Sequence, residues 1–273
     1  MPEPTGDPNE DYLRQRVGRL GPDAWLGGPT GDFERIGRLQ LDVLVREGLE
    51  PTSTVLDVGC GALRAGYWLM HYLDTGRYYG IEPNAETLER GIEGIVEGGL
   101  VERAQPTFST VDDFNLAVFD VPFDFVLARS VWTHASKHQI ILMLDGFAEV
   151  ATASGVLLAS YLPAGTASAL VRRMPTNVER ALVAASPRVW APDVARRLPA
   201  LGATRGDYLG HAWVGKSHHS DVAGMVRHRF GWVADRCAER GLTVRELSYG
   251  VANHQRWLRV ERQRTPRRIR LHT

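Results

Sequence analysis

The sequence predicts a doubly wound α/β fold, and three observations carry that prediction. Short apolar runs of strand character alternate with segments of helical periodicity from about Thr54 to Leu162. The stretch T-V-L-D-V-G-C-G-A-L-R-A-G, Thr54–Gly66, reads as a buried strand that runs into a glycine turn and then a helix. Near the end, L-T-V-R-E-L and H-Q-R-W-L-R-V read as a hairpin-like strand pair.

Each element follows in order. Residues 1–11 carry prolines and acids with almost nothing to bury, and are expected to be disordered. A short helix comes next, then a Gly/Pro corner that displays Trp25, a residue type found more often in cores than against ligands. Asp32 is placed to cap a helix to about Gly48, with Phe33, Ile36, Leu39, Leu41, Val43 and Leu44 forming an apolar face for a sheet. Beyond the central turn we expect a helix at about Ala62–Tyr72, a strand Tyr78–Glu82, a helix Ala85–Val96 and a strand Thr107–Val111. The fourth strand is F-D-F-V-L-A-R-S, the fifth G-V-L-L-A-S-Y-L, and a helix through I-I-L-M-L-D-G-F-A-E-V joins them. A further helix begins near Met225 and ends at Gly241, where glycine suits a helix stop.

Composition narrows the function. The 273 residues, 44% of them hydrophobic, can bury one large core, so a single domain is expected over 12–262 with a basic tail at 263–273. Thirty-two basic residues balance 32 acidic ones, so no overall field draws the chain to nucleic acid. No apolar run has the length of a membrane span, and the acidic, proline-rich start is unlike a signal peptide. The two cysteines, Cys60 and Cys237, read as free thiols, which points to the cytoplasm.

The glycine turn suits a nucleotide-type ligand, because the helix N-terminus behind it offers unpaired N–H groups. A dinucleotide fingerprint needs a third glycine where Arg64 stands, so that reading fails. Two acids stand out instead: Asp57, two residues before the first glycine, and Glu82, closing R-Y-Y-G-I-E-P. With them V-L-D-V-G-C-G resembles the first motif of the class I S-adenosylmethionine-dependent methyltransferases, with Leu63 replacing the third alternating glycine.

That resemblance spans the chain nearly end to end. It implies a Rossmann-like sheet of seven strands, mostly parallel with an antiparallel last strand, and S-adenosyl-L-methionine as cofactor, leaving as S-adenosyl-L-homocysteine. It implies a cofactor site of Asp57, Gly59, Cys60, Gly61, Glu82 and Pro83, with Glu82 taking the ribose hydroxyls. V-D-D-F supplies an acid for the adenine amine, Asp113 with Phe114 beneath the ring or else Asp112; either acid can equally cap a turn. Arg129 and Ser130 fall at the methionine end, while Trp132 and His134 face the acceptor.

Two subclass signatures are absent. Ala128-Arg129-Ser130-Val131 replaces the proline and aromatic tetrad of DNA adenine and protein-glutamine methyltransferases, and no aspartate ends that strand to hold a metal. Residues 163–223 form an insertion expected to be a mainly helical lid, and 12–50 a pair of cap helices. The lid gathers Tyr208, His211, Trp213, His218 and His219, denser than a connecting loop requires. Tyr208, His211 and Trp213 are candidates for substrate contact. His134, His218 and His219 are candidate general bases, and no metal is expected. The expected activity is metal-independent methylation of a small, natural-product-like acceptor, most simply at oxygen. Methylation at carbon, or a cyclase that binds the cofactor without transferring methyl, is the alternative. Nothing in the sequence indicates an oligomeric state.

Overall fold

The computed structural model describes residues 7–20, 26, 32–163, 227–252 and 255–263. Helices α1 (Pro8–Leu20) and α2 (Phe33–Arg46) precede strand β1 (Val55–Val58) and helix α3 (Gly66–Tyr72). Strand β2 (Tyr78–Ile81) leads to α4 (Ala85–Glu89), a π-helical stretch Arg90–Ile95, α5 (Leu100–Ala104) and β3 (Thr107–Ser109). A 3₁₀ turn, Leu116–Phe119, precedes β4 (Phe123–Ala128), α6 (Lys137–Val150) and β5 (Ala151–Pro163). The chain re-enters at β6 (Arg227–His228) and ends with α7 (Phe230–Ala238), β7 (Leu242–Glu246) and β8 (Arg256–Arg262).

Seven strands form one sheet in the order β3-β2-β1-β4-β5-β8-β7, and the two-residue β6 joins the end of β5. Pairing is parallel from β3 to β5. β8 runs antiparallel to both β5 and β7, as the resemblance implies for the last strand. The order reverses direction between β1 and β4, which opens a crevice at their carboxyl ends.

Both faces are covered. Leu13, Phe33, Leu44, Trp68 and Leu69 pack with Trp257 on the α1–α3 side. Ile140, Phe147, Val233 and Cys237 pack with Leu258 on the α6–α7 side. Central strands buried on two sides need continuous apolar runs, which is why V-L-D-V and F-D-F-V-L-A were readable. No helix among the described residues is long and apolar enough to cross a membrane.

The structure departs from expectation at several boundaries. Helix α1 starts at Pro8, inside the stretch expected to be disordered. The Asp7 carboxylate accepts from the Asn9 N–H at 2.9 Å, and Arg38 reaches Asp7 and Glu10 at 2.6 and 3.0 Å. Asp32 spends its carboxylate on Arg35 and makes no side-chain cap. The segment expected to begin a helix near Met225 forms a strand over Arg227–His228, because β5 runs past its β4 pairing and leaves Leu162 and Pro163 to be bridged. Helix 85–96 becomes α-helical and then π-helical. There Gly91 lies against the backbone of Ala62, where a Cβ would stand 2.7 to 2.9 Å away.

That contact generates a stability prediction. Gly91→Ala must push backbone against backbone, which costs about 1–3 kcal/mol. The thermal midpoint should fall by about 2–4 °C per kcal/mol for a chain of this size. Gly98→Ala, with nothing within 4 Å of its Cβ position, should leave it nearly unchanged in the same calorimetric scan.

Candidate functional site

Gly59, Cys60 and Gly61 carry the chain off β1. Gly59 and Gly61 take φ of +72° and +57°, a region glycine enters without penalty. A Cβ on Gly59 would also meet Val131 Cγ2 at 2.8 Å, so the turn sits directly beside the end of β4. Leu63 holds φ +61° as well, so the backbone keeps the left-handed residue expected of a third glycine. Its side chain packs into the core and does not reshape the ligand face. The left-handed conformation costs about 1–2 kcal/mol, and burial of a leucine returns roughly 1.5–3, so the substitution is tolerated.

Glu82 joins this turn to the end of β2. Its two carboxylate oxygens accept from the Gly61 and Asn84 N–H groups, each at 2.9 Å, and the side chain is only 5% exposed. Each oxygen keeps acceptor capacity beyond the one bond it makes here. Pro83 follows half-buried, and Asn84 caps α4 through the Thr87 N–H. The β3 end lies alongside, since Glu82 N–H donates to Ser109 O. In the loop beyond it Asp112 and Asp113 are exposed. Asp113 takes the Asn115 N–H at 2.9 Å, the turn-capping role left open by sequence, and Phe114 is half-buried with φ +59°.

Asp57 lies behind the turn, 3% exposed, and accepts from the Tyr78 hydroxyl at 3.0 Å. Burial raises its carboxyl to about 7, against the opposing Tyr78 hydrogen bond and with a smaller push from Glu82. Burial likewise raises the Cys60 thiol well above its ordinary value, so it is not a nucleophile at neutral pH.

At the end of β4, Ser130 has φ +63° and its N–H donates to Ser160 Oγ at 2.7 Å. Arg129 donates to Ser130 Oγ, Ser160 Oγ and Ala252 O at 3.1 to 3.3 Å, and lies 5.6 Å over the Trp257 ring. Gln255 completes the corner, accepting from Ser160 Oγ at 2.6 Å and donating to Ser130 Oγ at 2.9 Å. Burial, and then the neighbouring Arg64, lowers the Arg129 guanidinium to about 10. Arg64 lies 4.9 Å over Phe33 and is lowered to about 10 by burial, opposed by Asp32 and Glu34.

The structure corrects one substrate-facing assignment. Trp132 is fully buried among Ile140, Met143 and Phe147, and its indole N–H points at the Met143 sulfur. That position gives it no surface to offer an acceptor. His134 stands exposed in the following turn. Tyr208, His211, Trp213, His218 and His219 lie outside the described residues, as does Trp25.

Sequence reasoning missed four residues. Arg64 had been noticed only as the residue that spoils a dinucleotide fingerprint. Ser160, Gln255 and His228 carry no local signal. His228, fully buried, meets the Trp132 carbonyl at 3.0 Å and so braces the turn that holds His134.

Asp57 yields a pH prediction. Its folded value, about 7, lies above the unfolded value of about 3.9. Its stabilising share is therefore complete below about pH 4 and is lost as pH rises through 7. At about 1.4 kcal/mol per unit the loss is on the order of 4 kcal/mol. Asp57→Asn should remove this share, so that the mutant gains on the wild type in urea titrations run from pH 4 to 8.

No family model matches the chain. Solved structures do. Magnesium protoporphyrin IX methyltransferase (ChlM) from Synechocystis PCC 6803 with bound SAH superposes with TM-score 0.52 at 18% identity, over 93% of this chain and 97% of that one. A SAM-dependent methyltransferase from Bacteroides fragilis in complex with S-adenosyl-L-homocysteine gives 0.53 at 14%, over 93% and 94%. The DhpI–SAH complex gives 0.51 at 12%, over 93% and 95%. The strand order, the glycine turn at the reversal point and these superpositions give one answer: the chain has the fold of the class I S-adenosylmethionine-dependent methyltransferases.

Proposed function

We propose that the protein transfers a methyl group from S-adenosylmethionine to a small, natural-product-like acceptor, most simply at oxygen and without a metal. One observation carries the cofactor assignment. Glu82, locked by the Gly61 and Asn84 N–H groups, holds a buried carboxylate beside a turn whose glycines leave space for a ligand. A fixed carboxylate with free lone pairs matches a pair of ribose hydroxyls. Gly59, Cys60 and Gly61 would lie along the amino-acid part, Pro83, Phe114 and one of Asp112 or Asp113 around the base, and Arg129 and Ser130 toward the methionine end. Asp57 acts from behind, through the turn it supports.

When bound, the cofactor supplies an electrophilic methyl on a sulfonium. The protein contributes alignment, since holding two reactants at attack distance removes about 7–11 kcal/mol of barrier. A base near a hydroxyl acceptor adds roughly a hundredfold or more. His134, exposed at the rim, and His218 and His219 in the insertion are our candidates, with Tyr208, His211 and Trp213 as substrate contacts. Three of the superposed structures bear the names of methyltransferases or of SAH complexes, which supports the reaction class and leaves the acceptor open.

Calorimetric titration with S-adenosylhomocysteine tests the cofactor assignment. Glu82→Gln keeps an acceptor for the Gly61 N–H and removes the charge. It should weaken binding about 10- to 100-fold, the worth of charged hydrogen bonds at roughly 1.5–3 kcal/mol. Absence of binding by the wild type would sink the proposal. In an acceptor screen read by a mass gain of one methyl, His134→Ala and His218→Ala should lower turnover more than cofactor affinity. Equal loss of both removes either histidine from the role of base.

A further inference from the structure

Among the described residues five non-glycine positions have positive φ. Three of them, Leu63, Phe114 and Ser130, follow β1, β3 and β4 at their carboxyl ends, where the crevice opens. Backbone of this kind persists only where its surroundings over-determine it. Apolar packing does so for Leu63. At Ser130, with φ +63°, hydrogen bonds do it. Its N–H donates to Ser160 Oγ and its carbonyl accepts from Thr133 Oγ1, both at 2.7 Å. Its hydroxyl accepts from Gln255 Nε2 at 2.9 Å and Arg129 Nη1 at 3.3 Å, and reaches Gln255 Oε1 at 3.2 Å.

The residues that hold Ser130 come from beyond β4. Ser160 is fully buried on β5 and donates to Gln255 Oε1 at 2.6 Å. Gln255 lies in the β7–β8 connection, which the antiparallel course of β8 brings to the carboxyl end of β5. That connection is itself pinned. Ala252 O accepts from the Gln255 N–H at 3.0 Å and from Arg129 Nη2 at 3.3 Å, and Trp257 Nε1 donates to Gly250 O at 2.8 Å. Arg129 thus spans the corner as a strut between protein oxygens. On the other side of Ser130, Val131 Cγ2 lies 2.8 Å from where a Cβ on Gly59 would stand. A change in the Ser130 backbone therefore shifts Val131 relative to the glycine turn.

We propose that Ser160 and Gln255 are positioning residues for the methionine end of the cofactor, acting through Ser130 and Val131 on the turn at Gly59; the inference rests on the cofactor site assigned above. Ser160, with no exposed surface, acts only through its neighbours. The nucleoside end has a separate support, since Glu82 is held by Gly61 and Asn84. The β7–β8 connection, although remote in sequence from the glycine turn, thereby sets where the transferable methyl is presented.

The test is calorimetric titration of the full chain with S-adenosylhomocysteine and with 5′-methylthioadenosine, which keeps adenine and ribose but lacks the amino-acid part. Gln255→Met keeps the length of the side chain and removes its hydrogen bonds, and Ser160→Ala removes the shared hydroxyl. Each should weaken S-adenosylhomocysteine binding about tenfold, the worth of roughly one net hydrogen bond, and leave 5′-methylthioadenosine unchanged. Gln255→Glu, which keeps an acceptor for both serine hydroxyls, should fall between the wild type and Gln255→Met. Glu82→Gln supplies the contrast, weakening both ligands. Equal weakening of the two ligands by Gln255→Met and Ser160→Ala overturns the inference, because a merely structural loss gives that result. Wild-type affinity of both variants for S-adenosylhomocysteine overturns it as well. If Ser160→Ala does not fold, Gln255→Met, at a half-buried position, decides alone. Absence of S-adenosylhomocysteine binding by the wild type is the separate failure of the cofactor assignment, and the inference falls with it.

Discussion

The crevice depends on one carboxylate held by two backbone amides. Glu82 closes β2, yet one of its oxygens reaches across to Gly61 in the turn after β1 while the other holds Asn84 at the entry to α4. Two adjacent strand ends and the helix that follows the second therefore share a single side chain. Charge-assisted hydrogen bonds of this kind are shorter and stronger than neutral ones. The carboxylate that fixes the turn is also the group proposed above to meet the ribose hydroxyls.

The turn is also pressed from outside. Gly91 lies against Ala62, and a side chain at Gly37 would reach the Arg64 carbonyl at 2.2 Å. Behind it, Asp57 and Tyr78 fill the space under the start of α3, where Gly66 makes room for the phenol. A loop confined on three sides has little freedom left to lose when a ligand arrives, which is the advantage of a preformed site. Leu63 fits the same account: its unfavourable φ persists because the core around it over-determines the conformation.

The central half of this architecture was legible because its causes are local. A strand buried on both faces must be apolar, a tight turn must carry glycine, and an acid at a strand end is visible beside both. V-L-D-V-G-C-G and Y-Y-G-I-E-P state all of that within a few residues. What stayed hidden depends on distant partners. The start of α1 rests on Arg38, some thirty positions on, meeting Asp7. Arg129 finds Ala252 at a separation of 123 residues, and Ser130 finds Gln255 at 125. Trp132 was misassigned because a strand end exposes two faces and its sequence does not say which one the indole enters; Met143 and Phe147 on α6 decide it.

Where the chain leaves and rejoins the sheet has a consequence for how such proteins diversify. Leu162 pairs with Arg227 and Pro163 with His228, so the intervening segment departs and returns at neighbouring rungs of one ladder. The cost of closing a chain between two fixed points grows only logarithmically with its length, by about 0.6 kcal/mol for each doubling. Segments of very different size and sequence are thus interchangeable at that gate while the strands beneath keep their register. His228, locked to the Trp132 carbonyl, passes the position of the gate to the rim of the crevice. Changes within that one contiguous stretch can therefore leave untouched the glycine turn and Glu82, which lie on strands apart from it.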